Sequence, residues 1–104
     1  MDQYFCFVCG KSAGTDPPWG EGGDCPTFEI CPCCGCEFGY EDCRASGIKK
    51  NRMAWIAKGC PWFNPMQRPD GWNVTDQLRN IPMNLPIGID NDADDWRSVV
   101  QIDR

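Results

Sequence analysis

Cys31-Pro32-Cys33-Cys34-Gly35 is the stretch on which the fold turns, and Cys6-Phe7-Val8-Cys9-Gly10 anticipates it near the start of the chain. Each segment has two cysteines separated by two residues and followed by glycine. The gap lets both sulfurs of one tight turn face a single ion. Backbone amides in the turn stabilise the sulfur charge, and the glycine takes the left-handed conformation that closes the turn. Twenty-one residues separate Cys9 from Cys31, just beyond the usual span of about 15–20 for two such turns sharing one site. The pattern predicts a single tetrahedral site formed by Cys6, Cys9, Cys31 and Cys34. All-sulfur ligation in a closed site suits one structural zinc ion. A competing register runs from Cys33 to Cys36, but it has glycine inside the gap and Glu37 behind it. Pro32 after the first ligand and Gly35 after the second favour Cys31 and Cys34.

Composition explains why such a clasp is needed. The 104 residues amount to one domain, and eleven glycines with nine prolines leave little room for long helices or broad sheets. No apolar run approaches the roughly 20 residues of a membrane span. Nine cysteines stand against no histidine, and an odd number leaves at least one cysteine outside an all-disulfide scheme. The Met1–Cys6 start carries no basic leader or apolar signal core, so a reducing, cytoplasmic setting is expected, with thiols available to metal. Ten basic and fifteen acidic residues give a net charge of −5. Four thiolates holding one divalent cation would take it two lower, which disfavours nucleic acid as a partner. The basic residues Arg44, Lys49, Lys50, Arg52 and Lys58 concentrate on one segment and read as a solvated helix face.

The expected architecture is a small, metal-stabilised α+β domain over residues 1–104. Residues 1–43 are expected to form a metal-binding half whose cysteine turns resemble the knuckles of zinc ribbons and rubredoxins, 44–81 a Trp-rich helical extension packed on it, and 82–104 an acidic tail. Tyr4–Val8 and Thr27–Ile30 have the aromatic and β-branched content of short strands. Gly14–Asp24, rich in Gly and Pro, reads as a loop. A helix is predicted over Ser46–Lys58, with Ser46 as N-cap, Gly59 as its stop and Pro61 beyond. Ile48, Trp55 and Ile56 share its apolar stripe, and Arg52 lies between them with its stem packed and its head at the edge. A second helix is predicted over Val74–Asn80, capped by Asn73, with Asp76 in the first turn where negative charge suits the helix dipole. The acidic run Asp90–Asp95 before Trp96 could dock or stay free.

Trp55, Trp62, Phe63 and Trp72 lie within eighteen residues. A chain this poor in aliphatics must build its interior from aromatics, so a core role is the expectation. Trp62, Phe63, Trp72 and Arg52 are the candidate partner-binding residues if any of them reach the surface. Catalysis is not expected. Without histidine the usual acid–base groups and triads are missing, the His-x-Glu of zinc deaminases is absent, and a four-cysteine site has no open position for water. Cys25, Cys33, Cys36, Cys43 and Cys60 are read as packed or idle thiols, with a second metal site from these five as the alternative.

Glu29-Ile30-Cys31-Pro32-Cys33-Cys34-Gly35, with Glu37-Phe38-Gly39-Tyr40 behind it, resembles the bacterial cysteine-rich CPCC family of small zinc-ribbon-like proteins. Cys6–Gly10 matches that family's first turn, and Trp55–Phe63, Gly71-Trp72 and Gln77-Leu78-Arg79 look like the extension seen in many hypothetical bacterial proteins. The resemblance covers residues 4–80 and implies a zinc-binding cytoplasmic protein. The paired turns also resemble those of rubredoxins, which would imply one redox iron and electron transfer; four sulfurs alone do not separate zinc from iron. The expected function is therefore a non-enzymatic zinc-binding interaction module with a protein partner of basic character, concretely an immunity or inhibitor protein. The alternatives are a rubredoxin-like iron carrier and a nucleic-acid adaptor resting on Lys49, Lys50, Arg52 and Lys58.

Overall fold

The computed structural model describes residues 4–14, 28–85 and 89–99. They form a small α+β arrangement: strands β1 (Tyr4–Phe5) and β2 (Ser12–Gly14), helix α1 (Ala45–Ala57), a 3-10 turn at Pro65–Gln67 and helix α2 (Val74–Leu78). β1 and β2 pair antiparallel, Tyr4 opposite Gly14 and Phe5 opposite Ser12, with a bulge between the pairs. The hairpin therefore carries the first cysteine turn at its tip. Both predicted strands are shorter than expected. The first stops at Phe5 because Cys6 already begins the turn, and the second reduces to one bridge between Ile30 and Glu37. Most of the Gly14–Asp24 loop, Thr27 and Cys25 lie outside the described residues.

Helix α1 ends as the sequence dictates. The Cys60 amide donates to the Trp55 carbonyl and the Gly59 amide to that of Ile56, while Gly59 sits at φ +90°. This is the paired-bond terminus that glycine after a helix produces. Its start departs from expectation. The N-cap is Arg44, which makes no side-chain capping bond, and Ser46 lies inside the helix. Its amide and hydroxyl both donate to the Asp92 carboxylate, each at 2.7 Å. A residue 46 positions away thus does the work expected of Ser46, because the free amides of a first turn accept any carboxylate that reaches them.

That contact also settles the tail. Ile89 and Trp96 are buried, Trp96 and Phe7 meet edge to face with centroids 5.8 Å apart, the backbone at Asp90 forms a parallel β-bridge with that at Arg44, and Lys49 pairs with Asp95. Residues 89–99 are docked along α1. Serine and lysine contacts hold the Asp92 and Asp95 carboxyls below their ordinary range. A carboxylate whose folded pKa is depressed stabilises above its unfolded value and loses that contribution as pH falls through the folded one. Asp92→Ala should therefore lower Tm modestly at pH 7, and the difference from the parent should shrink as pH falls through the carboxylate range, in thermal melts at successively lower pH.

Arg52 overturns its expected placement. Its side chain is fully buried, and its guanidinium donates to the carbonyls of Val8 (2.8 Å), Ser98 (2.9 Å), Phe7 and Trp96. The head is at the centre rather than the edge, because five N–H donors in a planar fork can satisfy several backbone acceptors at once where an aliphatic residue would leave them bare. Arg52 is accordingly withdrawn as a surface partner residue and from the basic patch. Helix α2 ends two residues earlier than predicted, at Leu78. Its Asn73 cap is present, with Oδ1 accepting the Asp76 amide at 3.0 Å.

Candidate metal centre

The two cysteine turns are built by the same bonds. The Cys6 amide donates to the Lys11 carbonyl and the Gly10 amide to that of Cys6; in the second turn the Cys31 amide donates to Cys36 and Gly35 to Cys31, all at 2.8–2.9 Å. Gly10 and Gly35 sit at φ +84° and +80°. This correspondence pairs Cys6 with Cys31, Cys9 with Cys34, and Lys11 with Cys36, so Cys36 falls where the first turn has no ligand-type residue. Gly10 is fixed by packing as well as conformation, since a Cβ there would lie 2.1 Å from the Gln77 carbonyl oxygen. Gly10→Ala should cost at least about 1–3 kcal/mol from backbone strain, plus the displacement of α2. Chemical denaturation of the variant against the parent measures it.

The turns bring the Sγ atoms of Cys6, Cys9, Cys31 and Cys34 within 4.8 Å of one another. Two edges, Cys6 to Cys34 and Cys9 to Cys31, measure 3.7 Å. A tetrahedron with metal–sulfur bonds of about 2.3 Å has sulfur–sulfur edges of about 3.8 Å, so the donor set and its spacing fit one four-coordinate ion. Cys6, Cys9 and Cys31 are 0–1% exposed, while Cys34 is half-buried. The identity of the ion is not carried by this geometry, as zinc and iron both accept four thiolates.

Electrostatics give the same need for a cation. Burial raises the Cys6 thiol, but hydrogen bonds from Cys31, Cys34, Cys36 and Cys9 outweigh it and hold Cys6 well below the usual thiol range. Burial pushes Cys9 up, and the neighbouring thiols, Cys31 first, push Cys34 up. Positive charge among the sulfurs offsets the burial that raises Cys9 and favours the thiolate forms that hold a metal.

The surroundings hold the donors in place. Gln77 reaches from α2, its Nε2 donating to the Cys9 carbonyl (3.1 Å) and to the Cys33 sulfur (3.2 Å), while its Oε1 accepts the Trp72 indole N–H at 2.8 Å. Behind the second turn, the Phe63 and Asn64 amides donate to the carbonyls of Cys33 and Pro32. The aromatic segment is thereby strapped to the knuckle. Cys33, Cys36 and Cys60 are buried and Cys43 is exposed. Arg52 and Gln77 were the residues that sequence reading missed in this role. An arginine on the apolar stripe of a helix was the available signal for the first; nothing local marks the second.

The candidate partner residues divide. Trp55 is buried and its indole donates to the Pro61 carbonyl at 2.8 Å. Trp62 and Trp72 are half-buried and meet edge to face at 5.5 Å. Phe63 is 62% exposed. The cluster is therefore part core and part surface.

No family model and no solved structure matches the chain. It is similar to the uncharacterized protein YoaQ of Bacillus subtilis (strain 168), at 46% identity over 39 residues that make up 38% of this chain and 33% of YoaQ. The chain thus spans about a third of that relative. Similarity to the uncharacterized protein YozI of the same organism is broader, 33% identity over 92 residues, covering 74% of this chain and 71% of YozI. A cysteine-rich chain that shares a third of its residues with YozI over most of both lengths belongs to the YozI family.

Proposed function

We propose that the protein is a non-enzymatic, zinc-binding interaction module of zinc-ribbon type whose acidic surface engages a basic protein, in the manner of an immunity or inhibitor protein. The observation that carries this reading is the four-sulfur cluster, whose Sγ atoms all lie within 4.8 Å of one another with two edges at 3.7 Å. Four protein ligands leave no position for substrate or water, so the ion serves structure. Zinc would be held by Cys6, Cys9, Cys31 and Cys34, and it supplies cross-linking of two turns that lie far apart in sequence. Net charge supports the choice of partner, and Asp70, Asp76, Asp90 and Asp94 are exposed. The nucleic-acid reading loses support, since Arg52 is buried and Lys49 is paired with Asp95.

Metal analysis of protein purified without added metal tests the site. One equivalent of zinc in a colourless protein is expected; a red protein with one iron would instead favour the rubredoxin-like carrier. Low-salt pull-down tests the partner. Capture of a basic protein that weakens as salt rises supports the reading, and absent or salt-insensitive capture overturns it.

A further inference from the structure

A cavity of ≈310 Å³ opens beside the second cysteine turn. Its lining includes Cys34, the half-buried member of the four-sulfur cluster, together with Cys36, Trp55, Trp62, Phe63 and Glu41. The volume sits at the lower end of the range that bound ligands fill, about 300–1,000 Å³. It suits one side chain better than a large cofactor.

The chemistry of the lining selects the charge of the occupant. Four thiolates around a divalent ion carry two net negative charges, of which Arg52 offsets one from the side of the first turn. Glu41 adds another, its Oε1 fixed by the Glu37 amide at 3.0 Å. Asn51, which donates to the Glu41 carbonyl at 3.0 Å, is also part of the lining. Lys58 lines the cavity from the end of α1 and opposes these charges. Negative charge beside aromatic rings is the environment that attracts organic cations, guanidinium above all, because it stacks on rings while donating in plane to carboxylate. The Trp62 indole N–H is itself buried with no acceptor among the described residues.

We infer that this cavity receives the side chain of an arginine presented by the basic partner. The inference rests on the interaction reading above and adds to it a defined anchor: Glu41 and the cluster sulfurs supply charge, Trp62 and Phe63 supply ring faces, and Lys58 limits affinity. Aromatic pockets that take arginine are where interfaces concentrate their binding energy.

The test uses metal-loaded protein at low salt, titrated with N-acetyl-arginine N-methylamide and, separately, with its neutral citrulline counterpart. The indole N–H resonances of Trp55 and Trp62 report occupancy. Saturable shifts with the arginine probe are expected, with the citrulline probe at least about tenfold weaker. Glu41→Gln, which keeps an acceptor for the Glu37 amide, should weaken the arginine probe about 3–10-fold, and Lys58→Met should strengthen it. Equal affinity for the two probes overturns the inference, as do shifts that bypass both indoles or an unchanged affinity in both variants. If the arginine probe fails while a basic protein is still captured at low salt, the cavity assignment falls and the proposed function stands. If the probe binds as expected and no basic protein is captured, the cavity assignment stands and the interaction reading falls.

Discussion

Cys9→Ser or Cys34→Ser is expected to abolish stoichiometric metal binding and to leave the two cysteine turns without fixed structure. Structural zinc in small domains contributes about 10–16 kcal/mol near neutral pH, as much as a whole domain's net stability of about 5–15 kcal/mol. The strand pair spans only five residues, and the second turn is backed by two amides from residues 63 and 64. Neither can replace a lost cross-link. Near-ultraviolet dichroism should collapse in both variants, and a strong chelator should produce the same change in the parent. A variant that keeps the parental spectrum and Tm would show that packing alone holds the turns.

Arg52→Met should be the most damaging substitution outside the cysteines. It keeps the volume of the stem but removes every donor from a fully buried site where four carbonyls converge. Stripping one side of a buried charged network typically costs about 3–5 kcal/mol, largely from the acceptors left without partners. In a domain of this size that is at least about 12 °C in Tm. Burial pulls the Arg52 pKa down to about 10, with Cys6 and Cys9 opposing the fall, so the guanidinium stays charged at neutral pH. Arg52→Lys should recover only part of the loss, since an ammonium has three donors and no planar fork. Thermal melts of the two variants, with metal content measured alongside, separate loss of packing from loss of the ion.

The sequence announced what is local and was silent on what is distant. Cys6, Cys9, Cys31 and Cys34 were legible because ligand spacing within a turn is set by three residues of backbone, and their glycines follow from the same geometry. The end of α1 was legible for that reason too, with Gly59 immediately after the last turn. Its beginning was not, because Asp92 supplies the cap from 46 positions away and Ser46 looked sufficient on its own. Arg52 was misread because its partners are carbonyls, which every residue possesses and no residue type advertises. Gln77 is similar: one amide serves the Cys9 carbonyl, the Cys33 sulfur and the Trp72 indole, and only the packing of α2 on the first turn brings them together. The acidic run carries no local signal that decides between docking and staying free, and it is Ser46 and Lys49 on α1 that hold its Asp92 and Asp95 carboxylates.

The guanidinium of Arg52 ties Phe7 and Val8 to Trp96 and Ser98, so the earliest and latest described stretches of the polypeptide share one cation. A chain that lacks the Trp96 segment leaves Arg52 only the acceptors of the first knuckle and holds a half-bonded charge against its sulfur cluster. Truncation ahead of Trp96 should therefore damage the amino-terminal knuckle rather than merely shorten the protein.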